Sequence, residues 1–100
     1  MGVNEIRSII EGSAAELRAA GLSALYLFGS QARGEAEEES DIDLAFDVSP
    51  DANSRFSLLD QAGLQIRLQE LLGRKVDFLE RRAIHRDLRP RIERDMVRVL

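Results

Sequence analysis

Hydrophobic residues recur along the chain with two different spacings, which predict helices and strands. In residues 4–20 they lie three or four positions apart, the spacing of a helix with one buried face. Asn4 can cap the start of that helix and Gly21 is well placed to end it. Residues 24–28 are apolar throughout and stop at a glycine, which is typical of a short buried strand.

A second strand is predicted by strict alternation in residues 41–48. Its apolar positions alternate with mostly acidic ones: Ile42, Leu44, Phe46 and Val48 against Asp41, Asp43, Ala45 and Asp47. Because side chains of a strand point to opposite faces in turn, one face is apolar and the other acidic. Residues 29–40 before it form a polar, acid-rich loop that can hold one helical turn.

The second half of the chain repeats the two spacings. Residues 54–72 predict an amphipathic helix ending at Gly73, with Phe56, Leu58, Leu59, Ala62, Ile66 and Leu71 on its core face. Residues 75–80 predict a third strand. Residues 87–99 predict an arginine-rich helix with Pro90 in its first turn, and its apolar end should pack against the sheet.

The order helix, strand, strand, helix, strand, helix indicates an α+β (mixed α/β) fold. We expect a small mixed sheet of about three strands with flanking helices. The first link between strands is too short for a parallel crossover, whereas the third strand is reached through a full helix. One hundred residues are enough for one domain, so residues 1–100 should form a single unit.

Composition removes several kinds of chemistry. The chain has no cysteine and one histidine, His85, which excludes thiolate zinc sites, cysteine nucleophiles and sites with several histidines. The remaining possibilities are chemistry based on carboxylates or no chemistry at all. No apolar run is long enough to span a membrane, and the N-terminal residues do not resemble a signal peptide. We therefore expect a cytoplasmic protein without a membrane partner.

The net charge of -4 conceals an uneven distribution. Residues 1–80 carry seven basic and fifteen acidic side chains, whereas residues 81–100 carry seven arginines and three acids. Two interpretations are open. In one, the basic end pairs with the protein's own acidic surface; in the other, it meets an anionic partner.

Three acids are the candidate chemical centre. Asp41 and Asp43 point to one face of their strand, where two negative charges repel unless a cation lies between them. Asp77 lies between core-type residues and points toward that pair if the strands are neighbours. Mg²⁺ is bound by such carboxylates together with substrate phosphate. The alternative is a solvated sheet face, and Asp47 shows that acids occur there with no proposed role.

A glycine and a serine follow the first strand. Gly29 lets the backbone approach a phosphate closely, and Ser30 adds a hydroxyl donor, although an ordinary tight turn has the same composition. Arg33 can pair with phosphate or with nearby acids such as Glu35. Together with the three acids, this turn indicates metal-assisted displacement at a nucleotide phosphate.

These residues form two motifs that resemble a known signature: Gly29-Ser30-Gln31-Ala32-Arg33-Gly34 and Ser40-Asp41-Ile42-Asp43-Leu44. The signature is that of the DNA polymerase β-type nucleotidyltransferase superfamily. The sequence is most similar to its minimal nucleotidyltransferase (MNT) branch, the antitoxins of HEPN–MNT toxin–antitoxin pairs. The resemblance runs from the first helix through Lys75-Val76-Asp77 and implies a nucleotidyltransferase fold.

The resemblance also implies roles for individual residues. Gly29 and Ser30 would hold the triphosphate of ATP, and Asp41 and Asp43 would ligate two Mg²⁺ ions. Asp77 would help to bind the catalytic metal and activate the attacking hydroxyl. Arg33, in the first motif, is expected among the nucleotide-binding residues.

The implied reaction is transfer of AMP from ATP to a tyrosine of a HEPN ribonuclease toxin, which silences it. Two other functions are open: neutralisation by stoichiometric binding, and a nucleic-acid-binding regulator, against which the negative charge and few aromatic residues count. A chain of this length lacks the extra domain with which larger relatives contact base and acceptor. We therefore expect a partner contact from the acid-rich loop or from the arginines Arg81, Arg82, Arg86, Arg89, Arg91 and Arg94.

Overall fold

The computed structural model describes residues 1–35 and 40–100. Along the chain the elements are α1 (Val3–Gly12), α2 (Ala14–Ala19), β1 (Leu22–Phe28), α3 (Gly29–Arg33), β2 (Ile42–Val48), α4 (Leu58–Leu72), β3 (Val76–Glu80), a 3₁₀ turn (Arg81–Ala83), α5 (Arg89–Asp95) and β4 (Val97–Arg98). None of the helices in these described ranges is long and apolar enough to cross a membrane.

The four strands form one mixed sheet in the order β3-β2-β1-β4. β1 and β2 are antiparallel, and β2 and β3 are parallel, joined through α4. The predicted α+β class and mixed sheet are therefore confirmed. The short link excludes a parallel crossover between the first two strands, and the helix supplies one between the next two.

The fourth strand was not predicted, because its residues were assigned to the last helix. That helix is shorter than predicted. α5 ends at Asp95, and Met96 has extended backbone angles. β4 then pairs with β1 in antiparallel register, Arg98 opposite Tyr26. Val99 and Leu100 are buried beyond it, so the apolar end does pack against the sheet, as a strand and not as a helix.

The core lies on one face of the sheet, under α1 and α4. Apolar side chains from all these elements meet there, including Ile6, Ile10, Leu25, Leu27, Ile42, Leu44, Phe46, Leu68, Val76 and Phe78. Phe46 stacks on Phe78 with ring centroids 4.3 Å apart. Alternation in β2 and β3 leaves Asp43, Asp47 and Asp77 on the opposite face.

Two helix predictions need correction. The helix predicted over 4–20 is broken at Ser13 into α1 and α2. The helix predicted over 54–72 begins at Leu58, because Ser57 and Asp60 form a reciprocal capping box that fixes its first turn.

The predicted core face of α4 is also wrong in part. Leu58 and Leu59 are 85% and 83% exposed and Ile66 is 59% exposed. The buried face consists instead of Leu64, Leu68 and Leu72. The two apolar stripes are adjacent on the helix, and the leucine stripe is the one that packs in the core.

The acidic face of the sheet is partly covered by the C-terminal segment. Arg81 bonds to Asp47 through Nε at 2.9 Å, and α5 packs against both β1 and α3. Ala45, predicted on the solvated face, is fully buried. The end of this face that carries Asp43 is only half covered.

Candidate active site

The parallel register of β2 and β3 places Asp43 directly opposite Asp77. Both side chains point away from the core, since their neighbours Leu44 and Phe78 are buried in it. Asp77 is exposed and Asp43 is half-buried. Asp41 is exposed just before the first residue of β2, two positions from Asp43 and thus on the same side. The predicted meeting of the second and third strands at these acids is observed.

Asp43 is the electrostatic centre of this group. The pKa of its carboxyl is raised to about 6, chiefly by burial and also by a hydrogen bond to Asp77 and the negative charges of Asp77 and Asp41. The positive charge of Arg33 acts in the opposite direction. Asp43 therefore lies where negative charge has accumulated, and a cation there would relieve the repulsion.

The donor chemistry fits a hard divalent cation such as Mg²⁺. Carboxylate oxygens are its usual protein ligands, one or two at a time, with water and substrate phosphates completing the shell. In the part of the chain that is described, no three acidic, histidine or cysteine side chains converge closely enough to hold an ion by themselves. The arrangement thus suits an ion shared with a bound triphosphate. The assignment of Asp41, Asp43 and Asp77 as ligands stays a prediction.

Gly29 lies immediately against the Asp43 carboxylate. Phe28 pairs with Asp43 across the β1–β2 ladder, and the chain turns at Gly29 with φ of +74° into α3. A Cβ atom at this position would collide with Oδ2 of Asp43. The backbone at the end of β1 therefore comes as close to the carboxylates as a chain can.

The other two predicted nucleotide-binding residues also lie on α3. Ser30 is half-buried, and its hydroxyl makes no hydrogen bond to a described residue. Arg33 donates from Nε to Glu35 at 2.9 Å and from Nη1 to Asp95 at 3.5 Å. Arg33 is thus near enough to influence Asp43 while its guanidinium is bound to two other carboxylates.

Sequence reasoning missed the contacts that hold the C-terminal segment beside this site. Asp47 accepts from both Arg81 and the Tyr26 hydroxyl, and Arg81 also lies 5.6 Å from the centre of the Tyr26 ring. Asp95 joins α5 to Arg33. The surplus of acids before residue 81 and of arginines after it was the available signal, but it did not identify the pairs. Residues 36–39, most of the predicted acid-rich loop, lie outside the described residues.

The chain that carries this acid pair and glycine turn is matched by the model of a known family. The model of the nucleotidyltransferase domain matches residues 8–99. The chain belongs to the nucleotidyltransferase family. The nucleotidyltransferase resembles the protein adenylyltransferase MntA of Thermococcus cleftensis, with 34% identity over 97% of this chain and 95% of the relative.

Solved structures agree with this assignment. A provisionally assigned minimal nucleotidyltransferase is 33% identical, covers 97% of this chain and 95% of its own, and superposes with a TM-score of 0.78. The structure of the tri-AMPylated HEPN toxin of Shewanella oneidensis in complex with MNT antitoxin matches over 94% of this nucleotidyltransferase and 71% of that chain. At 21% identity and a TM-score of 0.64 it shows a shared fold.

Proposed function

We propose that this nucleotidyltransferase transfers AMP from ATP to a hydroxyl, that of a tyrosine, on a HEPN-family ribonuclease toxin, and so acts as an antitoxin. The transfer would use two Mg²⁺ ions. The observation that carries the proposal is the register pairing of Asp43 with Asp77 beside the Gly29 backbone. A protein that only binds its partner gains nothing from placing repelling carboxylates together.

Each part of the site has a separate task in this mechanism. Asp41 and Asp43, with help from Asp77, would hold Mg²⁺, which would supply positive charge to polarise the α-phosphate and to neutralise the leaving pyrophosphate. Ser30 and the backbone at Gly29 bind triphosphate oxygens, because the turn presents free donors and leaves no side chain in the way. Positioning then supplies most of the rate enhancement.

The chemical step is a displacement at the α-phosphorus of ATP. The acceptor oxygen forms a bond to that phosphorus while the bond to the bridging oxygen breaks, and pyrophosphate leaves with those electrons. Asp77 accepts the proton of the acceptor hydroxyl. Its exposure supports this role, because an acceptor on another protein must reach it from solvent.

The relatives support protein as the acceptor. The T. cleftensis relative is named a protein adenylyltransferase, and the S. oneidensis complex contains an AMPylated HEPN toxin with its antitoxin. By analogy, this chain takes a HEPN protein as its partner.

Intact-mass spectrometry tests the proposal. The chain is incubated with the HEPN protein encoded beside it, ATP and Mg²⁺, and we expect the toxin to gain AMP units. Asp41→Asn/Asp43→Asn should reduce the rate at least about hundredfold. Asp51→Asn, the same change at an exposed acid beyond β2, is the matched control and should leave the rate unchanged.

The toxin's ribonuclease activity is measured in the same samples. Full silencing by Asp41→Asn/Asp43→Asn without added mass would show that binding alone neutralises the toxin, and it would overturn AMP transfer as the cause of silencing. Full transfer by Asp77→Asn would remove that residue from the mechanism.

A further inference from the structure

The arginines of the C-terminal segment divide into two groups. Arg81 bonds inward to Asp47, and Arg89 donates to the carbonyl oxygens of Arg82 and Ile84 and so holds the turn before α5. The second group is exposed and has no side-chain partner within residues 1–35 and 40–100: Arg82, Arg86, Arg91 and Arg94. Two of the six predicted arginines are therefore structural, and four are exposed.

The acids of α5 do not pair with its exposed arginines within the described ranges. Its two acids are used in contacts with the rest of the protein, Glu93 with Arg81 at 3.4 Å and Asp95 with Arg33 at 3.5 Å. Arg91 and Arg94, three positions apart, lie next to each other on the helix surface, and both are exposed. Like charges at this spacing disfavour a helix, so the pair does not stabilise the isolated chain.

This surface adjoins the proposed transfer site. α5 packs on α3, the helix that begins with Gly29 and Ser30, and the ion pair between Asp95 and Arg33 joins the two helices directly. A macromolecule bound to the outer face of α5 would therefore have part of its surface beside Asp43 and Asp77.

From these contacts we infer that the exposed arginines of α5, Arg91 and Arg94, are a docking surface for an acidic patch on the acceptor protein, an inference that rests on the proposed function. The charge distribution favours this occupant. Residues 1–80 are strongly acidic, so an acidic partner is repelled by most of the molecule and attracted at α5, which orients the encounter.

A nucleic acid fits the same surface less well. The chain as a whole has a net charge of -4, and the segment 81–95 has no Phe, Tyr or Trp on which a base could stack. RNA binding is therefore the competing outcome of the test.

The test measures the KM for the neighbour-encoded HEPN protein as acceptor and, by calorimetry without ATP, its Kd. Arg91→Glu/Arg94→Glu should raise both about tenfold at low salt, with kcat nearly unchanged. The difference should largely vanish in about 1 M NaCl, where charges are screened within about 3 Å. Single Arg91→Glu and Arg94→Glu variants are compared with Arg18→Glu, an equal charge change at an exposed arginine on α2 that has no side-chain partner among the described residues.

The outcomes separate the two proposals. If the wild-type chain binds the HEPN protein but transfers no AMP, the proposed function fails while the Kd values still test the surface. Unchanged KM and Kd in the double variant, or equal effects from Arg18→Glu, would overturn the docking surface. If the wild type binds bulk tRNA and the double variant does not, the docking surface is overturned in favour of an RNA site. If the wild type does not bind the HEPN protein at all, the docking surface is overturned as well.

Discussion

The Cα of Gly29 and the carboxylate of Asp43 approach each other so closely that no side chain fits between them. The contact joins the two motifs of the sequence, since Gly29 directly follows β1 and Asp43 lies on the neighbouring strand. It fixes the distance between the turn proposed to bind phosphate and the acids proposed to bind metal. Two features therefore require glycine at position 29: the backbone has a positive φ, and there is no space for a Cβ atom.

Replacing Gly29 by alanine should therefore be more harmful than the backbone angle alone predicts. Gly34 offers a matched comparison, since its φ of +72° is nearly the same and a Cβ there would meet nothing within 4 Å. We expect Gly34→Ala to destabilise the fold by about 1 kcal/mol and Gly29→Ala by roughly 2–3 kcal/mol, with loss of transfer activity. Thermal unfolding followed by circular dichroism measures both, and equal decreases in Tm would contradict the contact with Asp43.

The raised pKa of Asp43 predicts a pH-dependent effect on stability. Its carboxyl has a pKa of about 6 in the folded protein against 3.8 when unperturbed, so the folded state binds the extra proton between these values. Ionised Asp43 therefore destabilises the fold fully above about pH 6, and the penalty is lost as the pH falls toward 3.8.

Asp43→Asn should accordingly stabilise the metal-free protein at pH 7.5. Because the group is partly exposed and screened by solvent, we expect the free energy of unfolding to rise by roughly 1 kcal/mol, which raises the Tm by about 4–8 °C. The gain should shrink below pH 6 and vanish near pH 4. Melting curves in EDTA across this range give the answer, with Asp51→Asn as the control. A gain that persists at pH 4 would show that lost charge repulsion is not its cause.

Binding of ATP with Mg²⁺ should show the opposite dependence on pH. A metal ligand must be deprotonated, and protonation of Asp43 below pH 6 competes with the ion. We expect Mg²⁺ and ATP together to raise the Tm at pH 7.5 and to raise it much less at pH 5.5. Asp43→Asn should abolish the rise at both values. An increase in Tm that is equal at the two pH values would argue against Asp43 as a ligand.

Local sequence patterns predicted the elements around the site well. Alternation in β2 placed Asp43 away from the core, and the helical link before β3 predicted the parallel pairing that brings Asp77 opposite to it. Both depend on periodicity and link length, which are properties of the sequence itself. The two-residue strand β4 was too short to leave such a pattern and forms because β1 offers it a free edge.

The side-chain partners at the site were not predictable in the same way. Arg33 had several acids within reach along the chain, and the structure pairs it with Glu35 and with Asp95, 62 positions away. The choice of Asp95 follows from how α5 crosses the sheet. The position of α5 depends on tertiary contacts such as the ion pair of Arg81 with Asp47. The number of charges along the chain does not show which basic residue pairs with which acid.

The exposed leucines of α4 provide a direct test of the corrected core face. Leu59 is 83% exposed and Leu68 is fully buried on the same helix, so the same truncation should have unequal effects. Leu68→Ala removes core contacts and should destabilise by about 2–5 kcal/mol, whereas Leu59→Ala should change stability by less than about 0.5 kcal/mol. Urea titration followed by circular dichroism compares the two variants. A large loss for Leu59→Ala would mean that its side chain is covered in solution.

The pairing of Arg33 with Asp95 predicts that two variants will change nucleotide affinity in opposite directions. If Arg33 binds phosphate, it must leave at least part of its contact with Asp95, whose Oδ2 lies 3.5 Å from Nη1. Arg33→Ala removes a charged donor and should raise the Kd for ATP with Mg²⁺ about tenfold or more. Asp95→Asn leaves the donor in place and weakens its competitor, so the Kd should stay the same or fall. Calorimetry measures both, with Arg18→Ala as the control for lost positive charge. A weaker Kd in Asp95→Asn would mean that the ion pair orients Arg33 for phosphate and does not compete with it.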